Sequence, residues 1–518
     1  MEINWGLMFS SYGAVFTPSV MLLIAVGVTA GIVIGALPGL TATMGVALLV
    51  PLTFGRPPLE SLSMLMGIYA GAMYGGAISA ILIRTPGTPA AAATVLEGYP
   101  MARRGEAGRA MAMALFASFF GGVAGAVIMT LASPLVSAFA LRFGPVEYFG
   151  LAIFGLSIII SISGRSLIKG FMSAFFGLLI CTIGFDPISG FPRYTYGTME
   201  LMEGPPFIPT LIGLFAVSEV FNEALKSGVA KSVTAKLDQY LPSWADIKYC
   251  FRELCRSSVI GAVVGAIPGA GGDIASFISY GEAKRASKNP ELYGKGQIEG
   301  LAASECANNS CQGGAMIPLL SLGVPGDAVT AVLLGAFTIQ GLQPGPMLYK
   351  EHIDIVYQIF ASMMVAQFVM QFIGMAGIQL FARVIMVDRS ILTPAIFVMS
   401  VVGAYAMRSN VFDVYVTLAF GMVGFLMMRY DFPLSPILLA LILGPLAESN
   451  LRRAMVMSGG EWSILFTSPI AVVMMLLAAL SFYLSIRKHQ QIESRLAEME
   501  VEFEKNLGES TESPERPA

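Results

Sequence analysis

Charge is scarce in this sequence: only 13% of its 518 residues are Asp, Glu, Lys or Arg, against 55% hydrophobic ones. A water-soluble core cannot absorb that surplus, so the solvent for most of the chain is lipid. Histidine is nearly missing, at two residues, His352 and His489, and no HExxH, GxSxG or Walker A spacing occurs; the usual means of a membrane enzyme are lacking. The five cysteines show no paired CxxC spacing and read as small packing residues rather than a metal or disulfide framework. A net charge of −3 points to no polyanionic partner, so nucleic acid is excluded. Residues 1–13 hold no basic region or cleavage site, so no removable signal peptide is expected.

What is present is length without interruption by charge. Lipid offers nothing to a free amide, so an apolar chain must close its backbone bonds within helices or a barrel. The mean hydropathy of +0.71 comes in runs of helical, not alternating, character. About eleven such runs, of about 17 to 25 residues and some of them interrupted, are expected to lie in the membrane.

The runs repeat. Gly31, Gly35, Ala36, Pro38 and Gly39 recur as Gly261, Gly265, Ala266, Pro268 and Gly269, and Gly75-Gly76-Ala77 with Pro86-Gly87 recurs as Gly313-Gly314-Ala315 with Pro325-Gly326. This predicts two homologous halves, residues 14–228 and 257–460, joined by a cytoplasmic linker at 229–256. An extra span at 461–486 and a cytoplasmic tail at 487–518 follow. Arg103, Arg104, Arg109, Arg165, Lys169 and the basic linker mark cytoplasmic loops, as do Arg383, Arg389 and Arg429. Residues 186–206, with Asp186, Glu200 and Glu203, fall outside, and the two halves are then inverted. Arg452 and Arg453 break the rule by falling on the outer side. The expected fold class is therefore an all-α polytopic membrane protein of two inverted-topology repeats with broken or re-entrant helices, plus one C-terminal span.

Matched Gly/Pro interruptions in inverted halves mark a transporter's substrate site. A lone Pro-Gly is also an ordinary kink, but two pairs in register argue for more. The candidate substrate residues are Pro38, Gly39, Thr41 and Thr43, then Pro86, Gly87 and Thr88, in the first half. In the second they are Gly269, Gly271 and Gly272, then Asn308, Asn309 and Ser310, then Pro325 and Gly326. Helix starts at such breaks offer unbonded amides and positive partial charge, which suit a carboxylate. Ionisable groups inside apolar runs are costly and hence suspect, so Asp273, Asp327 and Asn309 are the cation-coupling candidates, with Na+ sought near Asp273 and Asn309. Glu305 stands behind them, Arg84 could pair with a substrate carboxylate or equally snorkel to the interface, and Asp273→Asn or Asn309→Ala is expected to abolish coupled uptake. Trp244 and Tyr240 are expected as interfacial anchors, and Ile492, Leu496, Met499 and Phe503 suggest a short tail helix.

The blocks Gly35-Ala-Leu-Pro-Gly39, Tyr74-Gly-Gly-Ala77 with Thr85-Pro-Gly87, Gly98-Tyr-Pro-Met-Ala-Arg-Arg-Gly105, Ala307-Asn-Asn-Ser310 and Gly341-Leu-Gln-Pro-Gly-Pro346 resemble the large membrane subunit of tripartite tricarboxylate transporters. The resemblance implies a multi-pass permease of the bacterial inner membrane that works with a small membrane subunit and a periplasmic binding protein. It implies uptake of citrate or a related tri- or dicarboxylate, driven by Na+ or H+ without another cofactor. A substrate-bearing domain would move past a scaffold, and a homodimer is possible in such carriers. The alternative is a passive anion channel or a structural membrane subunit, whose flux would ignore the ion gradient.

Overall fold

A computed structural model describes residues 5–162, 166–225, 239–385, 387 and 389–487. His489, Arg165, the first part of the basic linker (229–238) and the expected tail helix lie outside the described residues. The chain is an all-α membrane protein: among the described residues eight helices are long and apolar enough to cross a bilayer. Four further apolar helices among the described residues are shorter, at 42–53, 145–158, 167–181 and 328–339, as interrupted runs among the expected eleven would be. Two of them are half-length because a Pro-Gly break precedes each.

The first half opens with α1 (Trp5–Val15), α2 (Pro18–Ala36), α3 (Ala42–Leu49), α4 (Pro58–Ile83), α5 (Val95–Arg103) and α6 (Ala107–Ala140). It continues through α7 (Pro145–Ile162), α8 (Leu167–Cys181), a two-residue β-hairpin pairing Gly184–Phe185 with Pro192–Arg193, α9 (Phe207–Leu211) and α10 (Ser218–Ala224). A π-helical turn, Ile212–Val217, joins α9 to α10 without a stop. The second half has α11 (Trp244–Gly265), α12 (Gly271–Ala286), α13 (Ile298–Leu322), α14 (Ala328–Ile339), α15 (Leu348–Glu351) and α16 (Ile353–Val384). Then come α17 (Arg389–Arg408), α18 (Val411–Arg429), α19 (Ser435–Met457) and α20 (Pro469–Arg487). The linker boundary at 256 falls inside α11, a single helix whose polar first turns carry an exposed Trp244.

Glycines set the helix pairing. A Cβ on Gly27, Gly31 or Gly35 would strike the backbone of Met64, Ile68 or Ala72, so α2 and α4 run side by side in one direction at contact distance. Gly261 and Gly265 lie in the same way against Ala307 and Cys311, so α11 and α13 also run together. Each first member doubles back. The end of α3 returns to the start of α4, where Ser61 Oγ donates to Thr53 O at 3.0 Å, and α12 returns to the start of α13, where Ser287 Oγ donates to Glu299 at 3.2 Å. The two hairpins approach from opposite ends of the molecule. Along α4, Met73 shares Gly272 with Asn308 and Ile81 shares Gly98 with Leu301, so α4 runs against α13.

Charges gather at the ends. Arg104 donates to the carbonyls of Lys295 and Gly296, while Arg109 pairs with Asp246 at 2.5 Å, which brings the basic loops of both halves to one end. Asp246, outside the spans, is held below the usual carboxylate range, first by that bond to Arg109. At the opposite end Arg452 pairs with Asp186 at 2.5 Å and with Glu448 at 3.0 Å, and Arg193 joins the same group. Of the two arginines that offended the charge rule, Arg452 is thus neutralised by acidic partners. Between the ends, Ile168, Phe175 and Leu179 on α8 and Ile391, Val398 and Val402 on α17 lie exposed, as lipid-facing side chains do.

Candidate functional site

Each break begins with loss of an amide donor and ends with a new helix start. Pro38 and Gly39 (φ +93°) close α2, and Thr41 caps α3 by accepting the Met44 amide at 3.1 Å. Pro268, Gly269 (φ +83°) and Gly271 (φ +64°) separate α11 from α12, whose N-cap, Ala270, supplies no side-chain bond. The Gly269 amide donates to Gly326 O at 2.7 Å, which ties the two breaks of the second half together. Asp327 caps α14 in a capping box, accepting the Thr330 amide at 2.7 Å while its own amide donates to Thr330 Oγ1 at 2.9 Å. Tyr69 Oη completes that carboxylate, donating at 2.6 Å.

These helix starts meet around one cavity of about 340 Å³. Thr41, Ala42 and Thr43 come from the start of α3, and Thr88 with Pro89 and Ala90 from the short turn before α5. Gly269, Gly271, Gly272 and Asp273 come from the start of α12, Asp327 to Val329 from α14, and Pro433 to Ser435 from α19. A helix start leaves its first amides unbonded and carries about half a positive charge, so several aimed at one volume make an anion-binding environment. One wall bears hydroxyls and the other two carboxylates. Thr88 Oγ1 is buried with no hydrogen-bond partner among the described residues.

Of the sequence candidates, Thr41, Thr43, Thr88, Gly269, Gly271, Gly272, Asp273 and Asp327 come together here. The rest separate by role. Gly87 and Gly326 are packing residues, because a Cβ on either would overlap the carbonyl of Gly35 or Gly265; Pro86 and Pro325 shape those turns and do not line the cavity. Pro38 faces a small cleft on the other side of the hairpin, and Gly39 lies against the Glu219 and Glu223 carboxylates. Ser310 Oγ donates to Ser258 O at 2.6 Å. Asn309 points away: its amide donates to Glu305 O at 3.0 Å and its oxygen accepts from Gln312, which in turn accepts from Gln367 of α16. Asp273 lines the cavity and Asn309 does not, so these two candidates do not share it. Asn308 is the neighbour that does reach the α12 start. Its side chain is fully buried, touches the space in front of Gly272, and has no hydrogen-bond partner at either polar atom among the described residues. Arg84 is exposed, lies over the Tyr99 ring at 5.7 Å and does not line the cavity, while Glu305 is buried with hydroxyl donors from Thr94 and Ser118.

Sequence reasoning missed Tyr69, Met73, Phe215 and Ser435, which also border this site. Only Tyr69 could have been found. It stands between Gly67 and Gly71 in an apolar run, and a phenol buried there needs an acceptor.

Discontinuous helices around an interior polar cavity, within a bundle of spanning helices, define a multi-pass membrane transport protein. Residues 21–439 match the Tripartite tricarboxylate transporter TctA family, and the chain belongs to it. It is 39% identical over 455 residues, 88% of its own length and 91% of the relative's, to an uncharacterized 52.8 kDa protein in the TAR-I ttuC' 3' region of Agrobacterium vitis. A second uncharacterized protein, in the TAR-II ttuC' 3' region of the same organism, is 38% identical over 211 residues, 41% of this chain and 87% of that one. No solved structure matches.

Proposed function

We propose that this chain is the transport core of a secondary carrier that imports a small carboxylate, tri- or dicarboxylic, across a bacterial inner membrane. The carrying observation is the meeting of helix starts from both halves around one cavity, with hydroxyls on one wall and carboxylates on the other. Substrate carboxylates bind the starts of α3 and of the 89–91 turn, against Thr41, Thr43 and Thr88. Asp273 and Asp327 would repel such an anion across a medium of low dielectric unless a cation lay between, so Na+ or H+ enters with the substrate and drives uptake. Asn308, whose side chain has no hydrogen-bond partner among the described residues and meets the start of α12, offers that cation a neutral oxygen.

The opposite run of the two hairpins supports inverted halves and alternating access. The glycine contacts that weld α2 to α4 and α11 to α13 support their movement as one block past the remaining helices, in the manner of an elevator. Membership of a tripartite family supports a small membrane subunit and a periplasmic binding protein as partners. Vesicles holding the three subunits test the reading. Citrate, succinate, malate and tartrate are offered with and without Na+ and pH gradients. At least one should accumulate against its own gradient and lose accumulation when the driving ion gradient is collapsed. Flux that follows the substrate gradient alone would mean a passive anion channel instead.

A further inference from the structure

A second, larger cavity of about 590 Å³ lies at the end away from the basic loops, and three elements line both cavities. The α9–α10 helix gives Phe207 to the larger and Phe215 to the smaller; α14 gives Leu334 and Ala328; α19 gives Ile442 and Leu439. The two spaces therefore follow one another along the same wall. Between them α14 is solid, Thr330 to Leu333 being fully buried, but the facing helix widens into the π-helical turn Ile212–Val217. Such turns hold an extra residue at the expense of regular bonding, and they concentrate where a helix must rearrange.

The larger cavity holds one arginine. Arg408 Nε donates to Asp413 Oδ2 at 3.0 Å and Nη2 donates to Oδ1, while Nη1 has no partner among the described residues. Asp413 is fully buried, so it fixes the planar fork and leaves one edge for a second carboxylate. Glu203 shares the lining, and its like charge keeps the hold on an anion weak. Weak holding suits a site that must release its guest onward.

We propose that this cavity is a loading subsite for the carboxylate, with Arg408 as its anion-binding side chain, and that the 212–217 turn is the barrier to the inner site. The proposal rests on the carrier reading above but has its own test. In the three-subunit complex, Thr338→Cys puts a thiol on the exposed end of α14 inside the subsite. A membrane-impermeant maleimide added from the outer face should label it. Citrate, succinate, malate or tartrate, whichever the system takes up, should slow that labelling several-fold. The slowing should persist when Asp327→Asn disables the inner cavity, and should vanish with Arg408→Gln paired with Asp413→Asn, which leaves no buried charge behind. With the inner site intact, the same pair should raise the KM for uptake roughly tenfold and change the maximal rate little.

Labelling unaffected by any transported carboxylate would overturn the subsite, and so would slowing that disappears with Asp327→Asn, since the thiol would then only report a distant movement. Labelling from the inner face alone would overturn it too. Slowed labelling without uptake of any carboxylate would instead remove the carrier reading and leave the subsite standing.

Discussion

The two halves build the same backbone turn and dress it differently. In the first, Gly87 lies on the carbonyl of Gly35 and the flanking polar side chain is Thr88; in the second, Gly326 lies on that of Gly265 and the neighbour is Asp327. The hairpin turns differ likewise, Thr43 following one and Asp273 the other. Glycine recurs because two backbones touch and nothing larger fits. The polar neighbour is released from that constraint, so a cavity lined by both halves gains a neutral wall and an acidic one.

The packing half of this comparison predicts the largest effect. Gly87→Ala and Gly326→Ala should each cost about 1–3 kcal/mol or more through overlap with backbone that has no rotamer to yield, and to a similar degree. Detergent-solubilised thermal unfolding checks it; tolerance in one half alone would mean that the turns are not equivalent. The chemical half predicts inequality. Asp327→Asn should reduce coupled uptake at least about a hundredfold, whereas Thr88→Ala, losing one neutral hydrogen bond of about 0.5–1.5 kcal/mol, should reduce it about tenfold or less. Equal losses in vesicle uptake would erase the distinction between the walls.

The adjacent asparagines sharpen the same point on a single helix. Asn308→Ala should leave the unfolding temperature nearly unchanged, since it breaks no internal bond, and should impair uptake. Asn309→Ala breaks the chain to Gln312 and Gln367 and should lower the unfolding temperature, leaving a buried amide unsatisfied at about 1–3 kcal/mol. If Asn309→Ala abolished uptake in a protein of normal stability, the earlier expectation for that residue would stand after all.

That pair also marks how far the sequence could be read. The spanning helices, their breaks and most of the cavity wall followed from proline chemistry and hydropathy, because those act locally and leave a pattern in the chain. The face on which a residue sits in a continuous buried helix leaves no such pattern. Asn308 and Asn309 are neighbours in a run that is buried all round, so no polar side exists to orient them. The same holds for Arg408, whose meaning lies in a cavity assembled from helices far apart in sequence.

The smallest effect belongs to the end of the molecule that no break reaches. Asp186 accepts the amides of Ser189 at 2.8 Å and Ile188 at 3.0 Å and pairs with Arg452 at 2.5 Å. Those amide bonds, Ser189's first, followed by the guanidinium, hold its carboxyl far below the ordinary carboxylate range. A lowered native pKa stabilises the folded state above the unfolded value of about 3.9, and the stabilisation fades as pH falls through the native value. Asp186→Asn should therefore lower the unfolding temperature slightly and evenly from about pH 5 to 8, and the gap from wild type should narrow as the pH falls below about 4. Because the bond to Arg452 is the tie that neutralises an outward arginine, the variant also exposes what that tie is for. If the gap instead widened in acid, Asp186 would be protonated in the native loop, and Arg452 would rest on Glu448 alone.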